Sequence, residues 1–283
     1  MPEHLAILAI LLTLSQPVRL TTSQYDLARH MQAIWDLDTN RYQIGLQLQL
    51  NLQGKASLYN DVDKASGKLF QVVPNLTKKS TYKKFINLLN NYDPLIHKTD
   101  RASATEREEQ NNFINSVLGT PVWQETRKFL IKHGLVQSNM ALAHELQRIW
   151  FTEYSRTGQI TGSSGFEHVF VGEIDTSKQQ ISGLHNWVRV YMLEASRSVN
   201  YQGYIKTNTK NNLYEIKLRQ GNNKKSGNSM FIGTSPEYEL AVYTVCFFAR
   251  PNQKCSFGMN GNLVTIQVYV NYDKSLGSAY PII

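Results

Sequence analysis

Two histidines and a lysine-rich stretch of this sequence have the residue types and the neighbouring residues that acid–base chemistry requires. His168 lies in SSGFEHVFVGE (163–173), and His185 lies in SGLHNWVRVYMLE (182–194). One neutral imidazole can remove a proton from a ribose 2′-hydroxyl, and a second, protonated imidazole can donate to the leaving 5′-oxygen. A lysine ammonium would stabilise the negative charge that builds up around phosphorus. The combination fits cleavage of an RNA phosphodiester.

The lysine-rich stretch runs from Lys206 to Lys225 and contains one acid, Glu215. Its basic residues are Lys206, Lys210, Lys217, Arg219, Lys224 and Lys225. Such a stretch would attract a polyanion, with an affinity that falls as salt rises. A solvated strand edge, kept basic to prevent edge pairing, is an equally good interpretation. The two histidines can instead have structural roles. Together with Glu167 they can also hold a zinc ion, an interpretation that ranks below the phosphodiester one because no ligand pair has the i, i+4 spacing of a helix.

Composition narrows the class of protein. The chain has 283 residues, of which 41% are hydrophobic and 18% charged, as expected for a folded globular protein and not for a disordered one. Its net charge of +8 favours a phosphate-rich partner. Two cysteines are too few for a disulfide scaffold or a four-cysteine zinc ribbon. The motifs GxxxxGK[ST], GxGxxG, HExxH and GxSxG are absent, which excludes the familiar cofactor and hydrolase sites.

A strand is predicted to carry the first histidine. The Ser/Gly turn at 163–165 leads into alternating residues that place His168 on the same face as Phe166 and Phe170. Glu167 and Glu173 then fall on the opposite face of this strand.

A helix is predicted to carry the second histidine. It runs from about residue 183 to residue 195, and His185 lies in its first turn, after Ser182 and Gly183. A helix amino terminus lowers the affinity of an imidazole for a proton and attracts anions. Both histidines are therefore expected at the edges of their elements, where a phosphodiester could reach them.

Hydrophobic periodicity predicts an α+β fold, with a helical amino-terminal region (24–156) packed on an antiparallel-sheet region (157–283) as one unit. Helical faces are formed by Leu27, Met31, Ile34 and Trp35, and by Leu142, Leu146, Ile149 and Trp150. Helix boundaries are predicted at the capping box Thr105 with Glu108, at Thr120-Pro121 with Gly134, and at Ser235-Pro236-Glu237. Two-residue alternation predicts strands at 214–218 and 264–270.

The beginning of the chain is typical of a signal peptide. The apolar run Ala6–Leu14 is too short to span a bilayer, so we expect residues 1–23 to be a leader, with no stable membrane span. A secreted protein is consistent with the glycosylation sequon at Asn75 and with Cys246 and Cys255, which are close enough in sequence to form a disulfide.

Several segments resemble motifs of the EndoU family, the poly(U)-specific endoribonucleases. They are SSGFEHVFVGE (163–173), SGLHNWVRVYMLE (182–194), YQGYI (201–205), FIGTSPEYELAVYTVCFFAR (231–250) and SAYP (278–281). IWDLDTNRY (34–42) is also similar, so the resemblance extends over nearly all of residues 24–283. It implies an EndoU-like α+β endoribonuclease that cuts single-stranded RNA at uridylates and leaves a 2′,3′-cyclic phosphate and a 5′-hydroxyl. Manganese is often required in this family.

The resemblance also implies which residues are catalytic. His168 and His185 match the two catalytic histidines of the family, with His185 as the base and His168 as the acid. Counting back from Phe231 favours Lys225 as the catalytic lysine. Lys224 remains an alternative, because LRQGNNKKSGNSMFIG lacks the tryptophan and proline that similar members have in this segment.

Substrate recognition is implied for Ser229, which would bind the edge of a uracil, and for Tyr280, which would stack on it for roughly 1–3 kcal/mol. Glu167 and Glu173 match acidic positions that would orient other groups or contact manganese remotely. The expected partner is single-stranded, uridine-rich RNA, and we expect a monomer. The alternative is a secreted RNA-binding protein of the same fold that does not cleave RNA.

Overall fold

The structure, a computed structural model, describes residues 22–158 and 160–283. The signal-peptide prediction falls almost entirely on residues 1–21, which lie outside the described residues. The amino-terminal part is mainly helical, as predicted. Its helices are α1 (Gln24–Asp36), α2 (Ser80–Leu88), α3 (Ala104–Leu118), α4 (Pro121–Lys132) and α5 (Asn139–Phe151).

Two small antiparallel sheets accompany these helices. One pairs β1 (Gln49–Leu50) with β2 (Phe70–Val72), and the other pairs β3 (Tyr154–Ser155) with β4 (Thr161–Ser163). Strands of two or three residues are too short to show a two-residue alternation, so the sequence does not predict them.

Capping side chains set the starts of α3 and α4. Thr120 is the N-cap of α4, as predicted. The box predicted at Thr105 with Glu108 is wrong by two residues, because α3 begins earlier. Ser103 Oγ accepts a hydrogen bond from the backbone N–H of Glu106, and the Glu106 carboxylate accepts one from the backbone of Ser103 at 2.6 Å. Ser103 with Glu106 and Thr105 with Glu108 both fit the capping-box pattern of Ser or Thr followed three residues later by Glu. The pattern alone therefore does not decide which pair begins the helix.

The carboxyl-terminal part contains two larger sheets and two helices. Its elements are β5 (Glu173–Asp175), β6 (Gln180–Ser182), α6 (Trp187–Ala195), β7 (Asn200–Asn208), β8 (Leu213–Gln220), β9 (Asn223–Phe231), α7 (Pro236–Ala249), β10 (Lys254–Met259), β11 (Asn262–Val270) and β12 (Leu276–Ile282). One sheet has the strand order β5-β6-β9-β8-β7, and the other has the order β10-β11-β12. Neighbouring strands are antiparallel except β6 and β9, which are parallel.

Helix α7 lies at the centre of the molecule. It packs against α4, β11 and β12, and its residues 236–247 are all buried, as expected for a helix that is apolar on every side. Cys246 of α7 forms a disulfide with Cys255 of β10. The buried apolar side chains form one core with members from both parts of the chain. Among the described residues, no helix has the length and apolar character that crossing a membrane requires.

Candidate active site

His168 lies on a short helical turn, and the strand predicted here is wrong. Residues 165–171 form the turn, which ends in a π-helix from Glu167 to Val171. Side chains four residues apart share a face in a strand and in a helix alike, so the spacing of Phe166 and Phe170 does not distinguish the two. Both phenylalanines are fully buried, and the turn packs them into the core.

Glu173 contacts His168, although the sequence predicts that it faces away. The chain reverses at Gly172, whose φ is +87°, and β5 returns the carboxylate to the imidazole. Glu173 Oε2 lies 2.6 Å from Nδ1 of His168. Ser163 Oγ donates a hydrogen bond to Oε1, and Arg156 Nε lies 3.1 Å from Oε2. Ser182 Oγ also donates to Oε2, at 3.4 Å, so the imidazole is held by a carboxylate that is itself held by three donors.

The Glu173 carboxylate is ionised despite being fully buried. Burial acts to raise its pKa, but His168, Arg156 and the hydrogen bond from Ser163 together lower the pKa to about 2. An ionised carboxylate can only accept hydrogen bonds, so Nδ1 of His168 carries a proton and donates it. Nε2 is therefore the ring nitrogen of His168 that remains for proton transfer.

Glu167 is buried near Glu173 but has a different protonation state. Burial and the charge of Glu173 raise the pKa of Glu167 to about 9, so the side chain is uncharged at neutral pH. Its Oε2 has no hydrogen-bond partner among residues 22–158 and 160–283. Of the two acids singled out in the sequence, it is Glu173 that orients His168.

His185 precedes α6, whereas the sequence places it in the first turn of that helix. Asn186 is the N-cap, and its Oδ1 accepts a hydrogen bond from the backbone of Arg189 at 3.0 Å. The backbone N–H of His185 donates to the carbonyl of Val169 at 2.6 Å, and Nδ1 donates to the carbonyl of Ser229 at 2.7 Å. Because a carbonyl can only accept, the free lone pair of this imidazole is on Nε2.

Backbone contacts bring the two histidines together. Beside the bond from His185 to Val169, the N–H of Leu184 donates to the carbonyl of His168 at 3.0 Å. Gly183 lies against the same carbonyl, where an added Cβ would be 1.7 Å from the oxygen, and its φ is +63°. Glycine is therefore the residue that fits this position, and it allows the loop before α6 to lie directly on the turn that carries His168.

A β-bulge in β9 directs Lys225 toward the histidines. Lys225 lies opposite Leu218 and Asn228 lies opposite Ile216, with a register shift between the two pairs. Leu218 and Ile216 share a face of β8, so the extra residue in β9 leaves Lys225 and Asn228 on one face although they are three positions apart. Asn228 Nδ2 donates to the carbonyl of Leu184 at 2.9 Å, so this face lies against the loop before α6.

The structure separates the two candidate lysines. Lys225 shares a face of β9 with Asn228, which contacts the loop before α6, and its positive charge lowers the pKa of both His168 and His185. Lys224 lies on the opposite face of β9, where Nζ forms an ion pair with Asp61. Burial lowers the pKa of Lys225 to about 8, so this ammonium remains largely protonated at neutral pH.

The surroundings give the two imidazoles different affinities for a proton. Burial lowers the pKa of both rings. In His168 the charge of Glu173 and the hydrogen bond to it counteract this effect. In His185 the nearby Lys225 adds to the effect, and the pKa falls well below the ordinary value of 6.5. His168 therefore holds a proton more readily than His185 does.

Ser229 and Tyr280, the residues expected at a uracil, both contact His185. The rings of Tyr280 and His185 are stacked, with their centroids 4.8 Å apart and their planes 16° apart. Tyr280 is half-buried, and burial together with the neighbouring Tyr269 raises the pKa of its phenol to about 12. The carbonyl of Ser229 accepts the hydrogen bond from His185 Nδ1, and Ser229 itself is buried and lies opposite Glu215 of β8.

Arg156 and Ser163 are contacts of Glu173 that the sequence analysis does not identify. Arg156 Nη2 also donates to the hydroxyl of Tyr154 at 2.7 Å and to the carbonyl of Gly277 at 2.9 Å. It therefore joins the carboxylate to the start of β12. Ser163 begins the motif SSGFEHVFVGE, but Arg156 lies in no recognisable motif, and only the fold shows that both contact Glu173.

The acids expected near manganese do not present a metal site. Both oxygens of Glu173 are engaged by His168, Ser163 and Arg156, and Glu167 is uncharged at neutral pH. In the part of the chain that the structure describes, no group of three His, Cys, Asp or Glu side chains could hold a metal ion, zinc included. We therefore assign no residue to manganese and derive no step through it.

The chain is similar to known endoribonucleases. Residues 26–281 match the family described as Endoribonuclease XendoU. Uridylate-specific endoribonuclease D of Xenopus laevis is 37% identical over 282 residues, covering 93% of this chain and 90% of that protein. The uridylate-specific endoribonuclease of Homo sapiens is 36% identical over 251 residues, covering 86% of this chain and 60% of that protein.

A solved structure is also similar. It is that of XendoU, a splicing-independent snoRNA-processing endoribonuclease, which matches with a TM-score of 0.77 at 30% identity and covers 91% of this chain and 97% of that one. The α+β fold and the family resemblance inferred from the sequence are thereby confirmed. The chain belongs to the XendoU family of endoribonucleases.

Proposed function

We propose that this protein cleaves single-stranded RNA at uridylates by transphosphorylation, with His185 as base, His168 as acid and Lys225 as the group that stabilises the phosphorane. The observation that carries the proposal is the pair of imidazoles, each held through Nδ1 by a different acceptor, with one ammonium near both. This arrangement leaves two Nε2 atoms of unlike proton affinity around one cation.

His185 is suited to the first proton transfer. Its Nδ1 is protonated and donates to the Ser229 carbonyl, so Nε2 has a free lone pair. Burial and the charge of Lys225 keep the ring neutral at neutral pH. Nε2 accepts the proton of the ribose 2′-hydroxyl while the 2′-oxygen forms a bond to phosphorus.

His168 is suited to the second proton transfer. The ionised Glu173 carboxylate, 2.6 Å from Nδ1, stabilises the imidazolium. Nε2–H donates its proton to the 5′-oxygen as the bond from phosphorus to that oxygen breaks. The products are a 2′,3′-cyclic phosphate and a 5′-hydroxyl, and the proton taken by His185 balances the one given by His168.

Lys225 is suited to stabilising the transition state. It is partly withdrawn from solvent, and a charge in such a site interacts more strongly with a developing negative charge than it would in water. Removal of one such donor typically lowers kcat by about 10²- to 10³-fold.

Uridylate preference is proposed for Ser229 and Tyr280. The names of the relatives from Xenopus laevis and Homo sapiens state that specificity for those proteins. In this chain, Tyr280 lies on the ring of His185, and the backbone of Ser229 holds that same ring. A base that stacks on Tyr280 while its edge bonds to the Ser229 hydroxyl would bring its own ribose to the base catalyst.

The proposal is tested with a uridine-rich oligonucleotide and a matched one without uridine, with analysis of both product ends. We expect cleavage of the first alone, with cyclic-phosphate and 5′-hydroxyl ends, and loss of cleavage in His185→Ala. His144→Ala is the control, because His144 is exposed on α5. Retention of RNA without cleavage by the wild-type protein would instead support the RNA-binding alternative.

We also propose that the protein is secreted and glycosylated. The disulfide between Cys246 and Cys255 and the exposed sequon at Asn75 support this, since both features are typical of the secretory route. Sequencing of the mature amino terminus and treatment with a glycosidase test it. A mature chain that retains residues 1–23, or no change in mass after treatment, would contradict it.

A further inference from the structure

The loop of residues 57–62 covers the face of β8 and β9 that lies opposite Lys225. Lys217, whose side chain is 1% exposed, is the buried anchor of this loop. Its Nζ donates a hydrogen bond to the carbonyl of Asn60 and lies 3.5 Å from that of Ser57. A lysine that is buried to hold two loop carbonyls indicates that the loop is a fixed part of the sheet region.

Asp61 is the charged contact between this loop and the sheet. Its carboxylate forms an ion pair with Lys224 and lies 3.7 Å from Arg219 and 3.8 Å from Lys217. The hydrogen bond and charge of Lys224 lower the pKa of Asp61, with Lys217 and Arg219 contributing. Three basic residues of the lysine-rich stretch thus converge on a single acid, and Lys224 immediately precedes Lys225.

Leu58 provides the apolar contact of the same loop. It lies over Gly227, where an added Cβ would be 2.9 Å from Leu58 Cδ2 and 2.8 Å from Glu215 Oε1. Gly227 belongs to the bulge that begins after Lys225. Asp61 contacts β9 at Lys224, and Leu58 contacts it at Gly227. The two contacts therefore lie on either side of Lys225, whose direction depends on the bulge.

We propose that loop 57–62 positions Lys225 by holding the bulge of β9 in place from the opposite face of the sheet. A bulge interrupts the ladder of backbone hydrogen bonds, so its conformation depends on the groups packed around it. The direction of Lys225 depends on that conformation, and misplacement of a reacting group by about 1 Å can lower a rate by about 10²-fold. Asp61, Leu58 and Lys224 are positioning residues in this proposal, which builds on the proposed role of Lys225.

Two substitutions that change the charge in opposite directions distinguish a role in positioning Lys225 from a role of Asp61 and Lys224 in binding RNA. Asp61→Asn removes a negative charge, and Lys224→Gln removes a positive one, but each breaks the same ion pair. We expect both to lower kcat by about 3- to 10-fold with little change in KM, and the double variant to lose no more than either single one. Lys224→Arg, which can keep the ion pair, should restore most of kcat. If the cluster bound RNA, Asp61→Asn would lower KM and Lys224→Gln would raise it, which would overturn the proposal.

A second readout does not depend on catalysis. Amide hydrogen exchange of the β9 segment 223–231 should be faster in Asp61→Asn than in the wild type, because the bulge is less constrained. Glu125→Gln is the matched control, since it removes a carboxylate from an exposed ion pair on α4. Unchanged exchange, or faster exchange with unchanged kcat, would overturn the proposal. If the wild-type protein does not cleave RNA, the proposed function fails, while the exchange experiment still decides whether the loop holds β9.

Discussion

Replacing Glu173 with glutamine tests the proposed acid most specifically. The substitution keeps the size of the side chain and removes the buried negative charge whose Oε2 lies 2.6 Å from Nδ1 of His168. Ser163 and Arg156 can still donate to the amide oxygen. The change is therefore directed at the imidazolium that His168 forms before it gives its proton to the 5′-oxygen.

The magnitude follows from the surroundings of the carboxylate. Although burial acts to raise the pKa of Glu173, that pKa is about 2, compared with an ordinary value of 4.5, and His168 is the largest cause of the lowering. A hydrogen bond between charged groups contributes about 1.5–3 kcal/mol, and the fully buried 2.6 Å contact between Glu173 and His168 belongs at the upper end, which is about 10²-fold in an equilibrium or a rate. Most of this is lost when the partner of the imidazolium is neutral, so we expect kcat of Glu173→Gln to fall by about 10²-fold.

The pH dependence of kcat shows in which direction Glu173 shifts the pKa of His168. The acid must be protonated, so activity falls as pH rises through the pKa of His168. The negative charge of Glu173 raises that pKa, and its removal should therefore move the alkaline limb to lower pH. Steady-state cleavage of a fluorescent uridine-rich oligonucleotide across the neutral range measures both effects, with Glu145→Gln, in a surface ion pair with Arg148, as the control. A fall of less than about threefold with an unmoved alkaline limb would refute the assignment of His168 as the acid.

Three further predictions follow from the same site. Lys225→Ala should lower kcat by about 10²- to 10³-fold in the same assay, and a variant that keeps more than a tenth of wild-type activity would contradict its role. Tyr280→Ala should lose about 1–3 kcal/mol of stacking, measured as a rise in KM for a uridine-rich substrate, whereas Tyr280→Phe should keep the wild-type KM. Gly183→Ala should lower the thermal unfolding midpoint, because its Cβ would lie 1.7 Å from the carbonyl oxygen of His168, and an unchanged midpoint would show that the loop before α6 can move.

Much of the fold could be predicted from local patterns in the sequence. The apolar faces of α1 and α5 are buried as expected, and the start of α4 at Thr120 and of α7 at Ser235 follows from capping chemistry that operates over a few residues. The errors arise where two structures share one local pattern. Phe166 and Phe170 fit a strand and a helix equally, and their burial against a distant core decides for the helix.

In the candidate site, local sequence patterns determine even less of the structure. The types of His168 and His185 indicate acid–base chemistry, but the choice between Lys224 and Lys225 depends on a bulge in β9 that exists only in pairing with β8. Arg156 reaches Glu173 through the fold and lies in no motif, and Asp61 lies 163 residues before its partner. Contacts of this kind depend on tertiary structure, so single-sequence periodicity does not contain them.

The central claim is that the 2′-hydroxyl of the substrate is the nucleophile, activated between His185 and His168. It is tested most directly with an oligonucleotide that has a single cleavable uridine, compared with the same oligonucleotide bearing 2′-deoxyuridine at that position. We expect the first to be cut to a 2′,3′-cyclic phosphate and the second to bind without being cut. Cleavage of the deoxy substrate, or a product with a 5′-phosphate, would contradict the mechanism.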